Sequence, residues 1–371
     1  MYKRQTFASV AETPNQRAVA AVFDAEEMSA TGDLDSVIDA LVFTTTPQAL
    51  NAFDSASGEI HASLLTSALT SARGFQRTNR VFAPSEDGTS IWGVAIGEWQ
   101  RHNGDEIDNA RTVDNDANGF SAGISKHKGN KYIGAGVQTI SLDSTRQFIQ
   151  SRPVDANLTH LAAVAGLTSG KVELDASLGY SWYDFDVERN IFIGSTISRT
   201  AISSYDGSGV TAGAEARLDS GQFVAGFAVT PYVSIDYSEI NRDDFVETGA
   251  QSLNIIAQDE THESVILGTG IELSKTAITN GDWALHTSAR LGLAYQSGSV
   301  GAELEGRFQG QTSSSDFTIS GVTPRRSRAD IGTGLTLRNE NGTSLHLNFS
   351  GEYGKDTNNT NILAGISYKF K

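Results

Sequence analysis

From residue 91 to the end of the chain, the hydrophobic period is two. Ile362, Ala364, Ile366, Tyr368 and Phe370 alternate with Leu363, Gly365, Ser367 and Lys369. Val172, Leu174, Ala176, Leu178, Tyr180 and Trp182 alternate with Glu173, Asp175, Ser177, Gly179 and Ser181. The same rhythm runs through 210–218, 265–273, 285–295 and 345–353. Successive side chains of a strand point to opposite faces, so each run has one apolar and one polar face. Each is close to the ~9–11 residues that a tilted strand needs to cross a bilayer.

Twelve runs can be placed, beginning near Ile91, Gly119, Tyr132, Leu158, Val172, Gly209, Pro231, Ser264, Trp283, Ala329, Ser344 and Asn361. Long connections follow the odd-numbered runs, at about 101–118, 143–157, 186–208, 239–263 and 298–327. The even-numbered links are mostly tight, with Lys128-Gly129-Asn130, Thr168-Ser169-Gly170 and Asn339-Glu340-Asn341-Gly342 carrying turn chemistry. Long loops on one side and short turns on the other are the layout of an outer-membrane barrel. A soluble β-sandwich also alternates, but its apolar faces need a core. Here an apolar and a polar face persist together through all twelve runs. The expected fold is therefore an all-β membrane protein, a 12-stranded antiparallel transmembrane β-barrel over 91–370.

Composition bounds the function. The chain has 371 residues, a net charge of −16 and no Cys, and 39% of it is hydrophobic. Acidity argues against a nucleic-acid partner. Disulfide scaffolds, thiolate zinc sites and Cys nucleophiles are excluded. No apolar run reaches the ~18–20 residues of a spanning helix, which leaves the barrel as the membrane option.

Residues 13–80 read differently. Thr13-Pro14-Asn15-Gln16 is a helix start, with Thr13 as cap, Pro14 at the first turn and Gln16 completing a capping box. Leu34, Val37, Ile38 and Leu41 recur at helical spacing, and Thr46-Pro47 offers another start. The segment 59–80 places Ile60, Leu64, Ala68 and Ala72 on one stripe and then Arg73, Arg77 and Arg80 on one face. Residues 1–12 show no clear pattern, 13–58 read as a helical region, and 59–90 as a helix leading into the barrel.

With these segments placed, the sequence resembles the translocator unit of classical autotransporters, the type V secretion proteins. The resemblance rests on Thr13-Pro14-Asn15-Gln16-Arg17-Ala18-Val19-Ala20, on Ser57-Gly58-Glu59-Ile60-His61-Ala62-Ser63, on Trp92 in the first strand, and on the C-terminal alternation ending at Phe370. Lys371 departs from the family habit of ending on the aromatic residue. The resemblance implies an integral outer-membrane barrel, monomeric and without cofactor or metal. It implies a lumen threaded by a helical linker, and an N-terminal passenger carried to the cell surface. It also implies dealings with outer-membrane lipid and lipopolysaccharide, the barrel assembly machinery and periplasmic chaperones. No apolar segment follows Tyr2-Lys3-Arg4, so a signal peptide and passenger are expected ahead of residue 1. The competing reading is a stand-alone outer-membrane channel or adhesin, which has no reason for a capped helical preface.

The polar parity supplies the candidate site. It carries the carboxylates Glu173, Asp175, Glu215, Asp236, Glu272, Asp330 and Glu352. These face a bore into which Arg73, Arg77 and Arg80 would project, and pairing between the two sets would hold a plug helix. A solvated helix face is the alternative for the arginines. Gly134, Gly136, Gly268, Gly270, Gly332 and Gly334 also lie on the lumen parity, giving the plug room or letting strands bend. Ile362, Ala364, Ile366, Tyr368 and Phe370 resemble the C-terminal signal read during barrel assembly; facing lipid is their simpler role.

Motifs for chemistry are weak. Asp114-x-Asp116-x-Asn118-Gly119 begins like a calcium loop, but Ser125 stands where a bidentate Glu is required, so a solvated acidic loop is expected there. The seven His show no metal-ligand spacing, and no nucleophile elbow or P-loop occurs. Asn79 lacks the paired Asn of self-cleaving family members. The expected protein is not an enzyme.

Overall fold

The computed structural model describes residues 6–81, 87–104, 110–146, 154–278, 283–313 and 316–370. Arg80 and Asn79 lie in a described helix, but their side chains, and Lys371 entirely, fall outside the described parts.

Four helices precede the barrel: α1 (Pro14–Glu26), α2 (Asp33–Val42), α3 (Thr46–Ala56) and α4 (Glu59–Val81). Thr13 caps α1, accepting the Gln16 amide at 3.3 Å. The Gln16 carboxamide reaches one residue further back than expected, to the Glu12 N–H at 3.0 Å. The cap of α3 is Thr45, one residue before the expected Thr46, with the Gln48 side chain accepting the Thr45 amide at 3.0 Å.

Twelve antiparallel strands follow: β1 (Gly88–His102), β2 (Val113–Lys128), β3 (Lys131–Arg146), β4 (Val154–Ser169), β5 (Val172–Ile193), β6 (Ile197–Leu218), β7 (Phe227–Arg242), β8 (Glu260–Ile278), β9 (Trp283–Gly298), β10 (Ser327–Asn339), β11 (Thr343–Tyr353) and β12 (Thr357–Phe370). Each pairs with its sequence neighbours, and β12 returns to β1 with Thr89 opposite Phe370. The sheet is closed, so it has no free edge. Gly129 and Gly170 make the tight turns at positive φ, 66° and 60°, a conformation that costs glycine nothing.

The outward parity is apolar. Leu178, Leu161, Ile235, Leu267, Leu291, Leu293, Leu347 and Ile366 all stand exposed on the barrel exterior. In water such a surface would be a liability; against lipid it is the required coat.

Three expectations about connections change. The span 186–208 is not a loop. β5 and β6 run 22 residues each and are joined only by Gly194-Ser195-Thr196, so the hairpin projects past the membrane. Asp114, Asp116 and Asn118 sit within β2 rather than in a solvated acidic loop. The loops after β7 and β9 pair with each other. Phe245–Val246, Ile255–Ala257, Glu303–Phe308 and Phe317–Ser320 form a separate four-stranded sheet at the long-loop end. The helices α1–α3 rest on that sheet and on the projecting hairpin. Phe23, Phe53, Leu34, Phe185, Ile191 and Phe308 share this core.

Candidate functional site

The bore of the barrel is occupied by α4. Its first residue lies among the long loops, where the Arg111 amide donates to the Glu59 carboxylate at 2.9 Å. Its last turns lie toward the short-turn end, where β1 begins at Gly88. The helix is therefore buried on all sides along most of its length. Its apolar residues Leu64, Leu65, Ala68, Leu69, Ala72 and Phe75 pack inward on the wall, with the Phe75 ring stacked on His160.

A helix inside a polar bore must also satisfy wall polar groups. Ser67 and Ser71 do so on one face. Asn115 donates to Ser67 Oγ at 2.8 Å, Ser71 Oγ donates to Glu98 at 2.8 Å, and Gln100 donates to Ser71 Oγ at 3.0 Å and to Glu98 at 2.7 Å. Sequence reading passed over Glu98, Gln100 and Asn115. The i, i+4 spacing of Ser63, Ser67 and Ser71 was the signal for their helix partners.

The charged residues form one connected ladder. Arg217 binds Asp175, Glu173 at 3.0 Å and Glu215 at 3.7 Å. Arg290 binds Glu215 at 2.8 Å and Asp330 at 3.3 Å, while its guanidinium lies 3.5 Å over the Tyr232 ring. Arg77 reaches Glu352 at 2.5 Å and Asp330 at 3.6 Å, and Arg328 meets Glu352 at 3.0 Å. Arg77 thus joins α4 to the wall. Arg73 is buried but bonds to Thr70 Oγ1 at 3.2 Å, and among the described residues it shows no ion pair within 4 Å. Asp236 and Glu272 line the same bore.

The six expected glycines lie on the inward parity. Gly332 and Gly334 line an open cavity beside α4. The atoms nearest Gly134, Gly268, Gly270, Gly332 and Gly334 belong to neighbouring strands. Two further glycines, which sequence reading did not single out, lie under wall aromatics. A Cβ at Gly123 would come within 2.3 Å of the Trp92 ring, and one at Gly166 within 2.0 Å of the Tyr132 ring. That leaves Tyr132 free to donate to Asp175 at 2.5 Å.

The cavity holds about 1110 Å3 and lies at the short-turn half of the bore. Most of its wall comes from β8–β12, with Glu272, His286, Arg290 and His346 among the lining residues, and it reaches round to Glu98, Tyr132, Glu173, Arg217 and Asp236 on β1, β3 and β5–β7. α4 lies most closely against β4, β5 and β7.

At the long-loop end, His61 of α4 bridges the Tyr205 hydroxyl at 2.9 Å and Glu247 at 3.0 Å. Arg189 binds both oxygens of Glu247 at 2.6 and 2.7 Å. Burial alone would raise the Glu247 carboxyl; the Arg189 charge and the hydrogen bonds from Arg189 and His61 outweigh it and hold it at about 2. Tyr205 of β6 and Glu247 of the loop after β7 lie 144 and 186 residues from His61, so local sequence carries no sign of them.

The C-terminal residues Ile362, Ala364, Ile366, Tyr368 and Phe370 all face outward on β12. The Tyr368 and Phe370 rings meet edge-on at 5.2 Å. In the closed barrel β12 is paired on both sides, so it is an edge only before closure.

A family model of the autotransporter β-domain matches residues 91–350. The chain belongs to the autotransporter β-domain family. Its barrel is accordingly an outer-membrane translocator unit. The chain is 21% identical over 348 residues to the "Extracellular serine protease" of Serratia marcescens, covering 89% of this chain and 32% of that protein. It thus spans about a third of the length of that curated relative. Among solved structures, the translocator domain of the autotransporter NalP from Neisseria meningitidis aligns with a TM-score of 0.64 at 16% identity, over 83% of this chain and 99% of that one. The β-domain of the Bordetella autotransporter BrkA aligns with a TM-score of 0.55 at 16% identity, over 76% and 100%. Both share the barrel fold of this β-domain.

Proposed function

We propose that α4 is the linker by which the passenger stays joined to its barrel after delivery. One observation carries this reading. α4 runs the bore from the long-loop end at Glu59 to the short-turn end, where β1 starts, so chain ahead of α4 emerges with the long loops. In an outer-membrane barrel those loops face the cell exterior.

The residues divide the work. Arg77 pairs with Glu352 and Asp330 and fixes the height of the helix in the bore. Arg73 adds positive charge to an acidic interior. Glu173, Asp175, Glu215, Asp236 and Glu272 make the rest of that interior, and the lumen glycines keep the wall thin where strands and side chains crowd. Ile362, Ala364, Ile366, Tyr368 and Phe370 form the strand that the barrel assembly machinery reads, after chaperones have carried the open chain across the periplasm. The exposed apolar belt then meets lipid and lipopolysaccharide as a single barrel. The barrel acts as conduit and anchor and performs no catalysis of its own.

The test is topological. A peptide tag fused ahead of Phe7, in a version exported to the periplasm, should be cut by protease added to intact cells. Protection of the tag in cells whose barrel is folded would sink the reading.

A further inference from the structure

The bore is closed unevenly. In the short-turn half, a cavity of about 1110 Å3 lies between α4 and the wall, mostly along β8–β12 and reaching β1, β3 and β5–β7, so the helix alone does not fill the barrel there. In the long-loop half, a second layer covers the helix.

That layer is the four-stranded loop sheet. The Ala302 amide donates to Thr66 Oγ1 at 3.2 Å, and the Val322 amide donates to Ser63 Oγ at 3.0 Å. Gly321 lies so close that a Cβ would come within 2.7 Å of the Ala62 backbone. The loop thus rests directly on α4, its backbone donating to α4 side chains.

Helices α1–α3 press the sheet down from outside. The Asn15 carboxamide donates to the Ser320 carbonyl at 2.8 Å and accepts the Ser320 amide at 2.9 Å. The Glu26 carboxylate accepts the Thr312 and Ser313 amides at 3.0 and 2.9 Å and the Thr312 hydroxyl at 2.6 Å. Asp33 accepts both Arg199 Nη groups, at 2.7 and 2.8 Å, and the Ser252 amide at 3.0 Å. Phe23 stacks on Phe308 with centroids 5.7 Å apart. Hydrogen-bonded contacts of this kind, charge-assisted at Glu26 and Asp33, hold one geometry and support one another.

From this we infer that the outer seal of the barrel is a lid, made by the two loops and locked by α1–α3, and that the plug helix by itself does not close the bore. The lid is a function of the passenger-proximal helices beyond linkage. It does not depend on the passenger reading, because a purified barrel reports it.

The experiment is single-channel recording of the purified full chain in planar bilayers. In N15A/E26Q/D33N, the lid loses its lock while the bore residues are untouched. The open fraction should rise about tenfold or more, since several buried hydrogen-bonding groups each bias a two-state equilibrium. R77A, which frees the helix from the wall, should raise the open fraction far less than N15A/E26Q/D33N does. Glu26→Gln alone, remote from the barrel wall, gives the same direction should the triple variant assemble poorly. A folded N15A/E26Q/D33N barrel that stays closed overturns the inference. So does an R77A barrel that opens as widely, or a wild-type barrel that already conducts as an open pore.

Discussion

Arg77 of α4 and Glu352 of β11 meet at 2.5 Å across 275 residues of sequence, and Asp330 of β10 lies 3.6 Å from the same guanidinium. Glu352 is nearly fully buried and shares its other side with Arg328. The helix is thus tied to two adjacent strands by one side chain.

Arg77→Ala should lower barrel stability. Breaking a fully buried pair costs about 3–5 kcal/mol, and Arg77 keeps 32% of its side chain exposed, so about 1–3 kcal/mol is expected. Arg77→Lys should recover only part, because an ammonium lacks the planar fork that reaches two carboxylates. The midpoint of the heat-induced shift of the folded band on a gel reads both.

A pH dependence follows from Glu26. Burial raises its carboxyl, but the Thr312 and Ser313 hydrogen bonds outweigh burial and hold it at about 2, against 4.5 for the free group. A depressed carboxyl adds stability above its unfolded value and loses it on acidification. The junction of α1 with Thr312 and Ser313 should hold at pH 5 and above and weaken as pH falls from about 4.5 toward about 2. Hydrogen exchange at the Thr312 and Ser313 amides, corrected for intrinsic rates, should show the loss. Glu26→Gln should flatten it.

The close seat of Tyr132 on Gly166 makes a third prediction. Gly166→Ala puts a methyl where the ring lies and displaces Tyr132 from Asp175. Overpacking of this kind costs about 1–3 kcal/mol. Adding Tyr132→Ala to the Gly166→Ala protein should leave it less impaired than the sum of the two single losses, as measured by thermal midpoint.

How much of this was legible in the sequence depends on which environment a strand crosses. Within the lipid band, Leu174, Leu178 and Trp182 face out and Asp175 and Ser181 face in, so the alternation names the strand. Above the band the same strand exchanges its apolar parity: Phe185 and Val187 turn into the outer core, and Asp184 and Asp186 face water. Read with one parity, β5 seems to end near residue 185, which is why 186–208 reads as a loop. The loop sheet is hidden for a different reason. Ile255–Ala257 pairs with Gly306–Phe308, and no local pattern announces a pairing across that separation. In the candidate site, Arg77 and the wall carboxylates follow from parity and helical spacing. Glu98, Gln100, His61 and Glu247 do not, because their partners are set by where α4 sits in the bore.

Phe370 tests the assembly role of β12. Phe370→Ala should reduce the folded, outer-membrane fraction in cells. It should leave detergent refolding of the purified chain near wild type, because the ring faces outward and meets the Tyr368 ring on the same outer face. Equal cellular yields of the two proteins would count against a signal role.

The proposed topology puts the helical segments and the short turns on opposite sides of the outer membrane, joined by α4 through the bore. The chain has no Cys, so single-Cys variants report without background. Met28, 91% exposed on the helical side, and Asn130, exposed in the β2–β3 turn, are the positions to compare. A maleimide too large for porins, added to intact cells, should label Met28→Cys at once. It should label Asn130→Cys only after the outer membrane is permeabilised. Labelling of Asn130→Cys in intact cells, or protection of Met28→Cys in a folded barrel, would contradict the account.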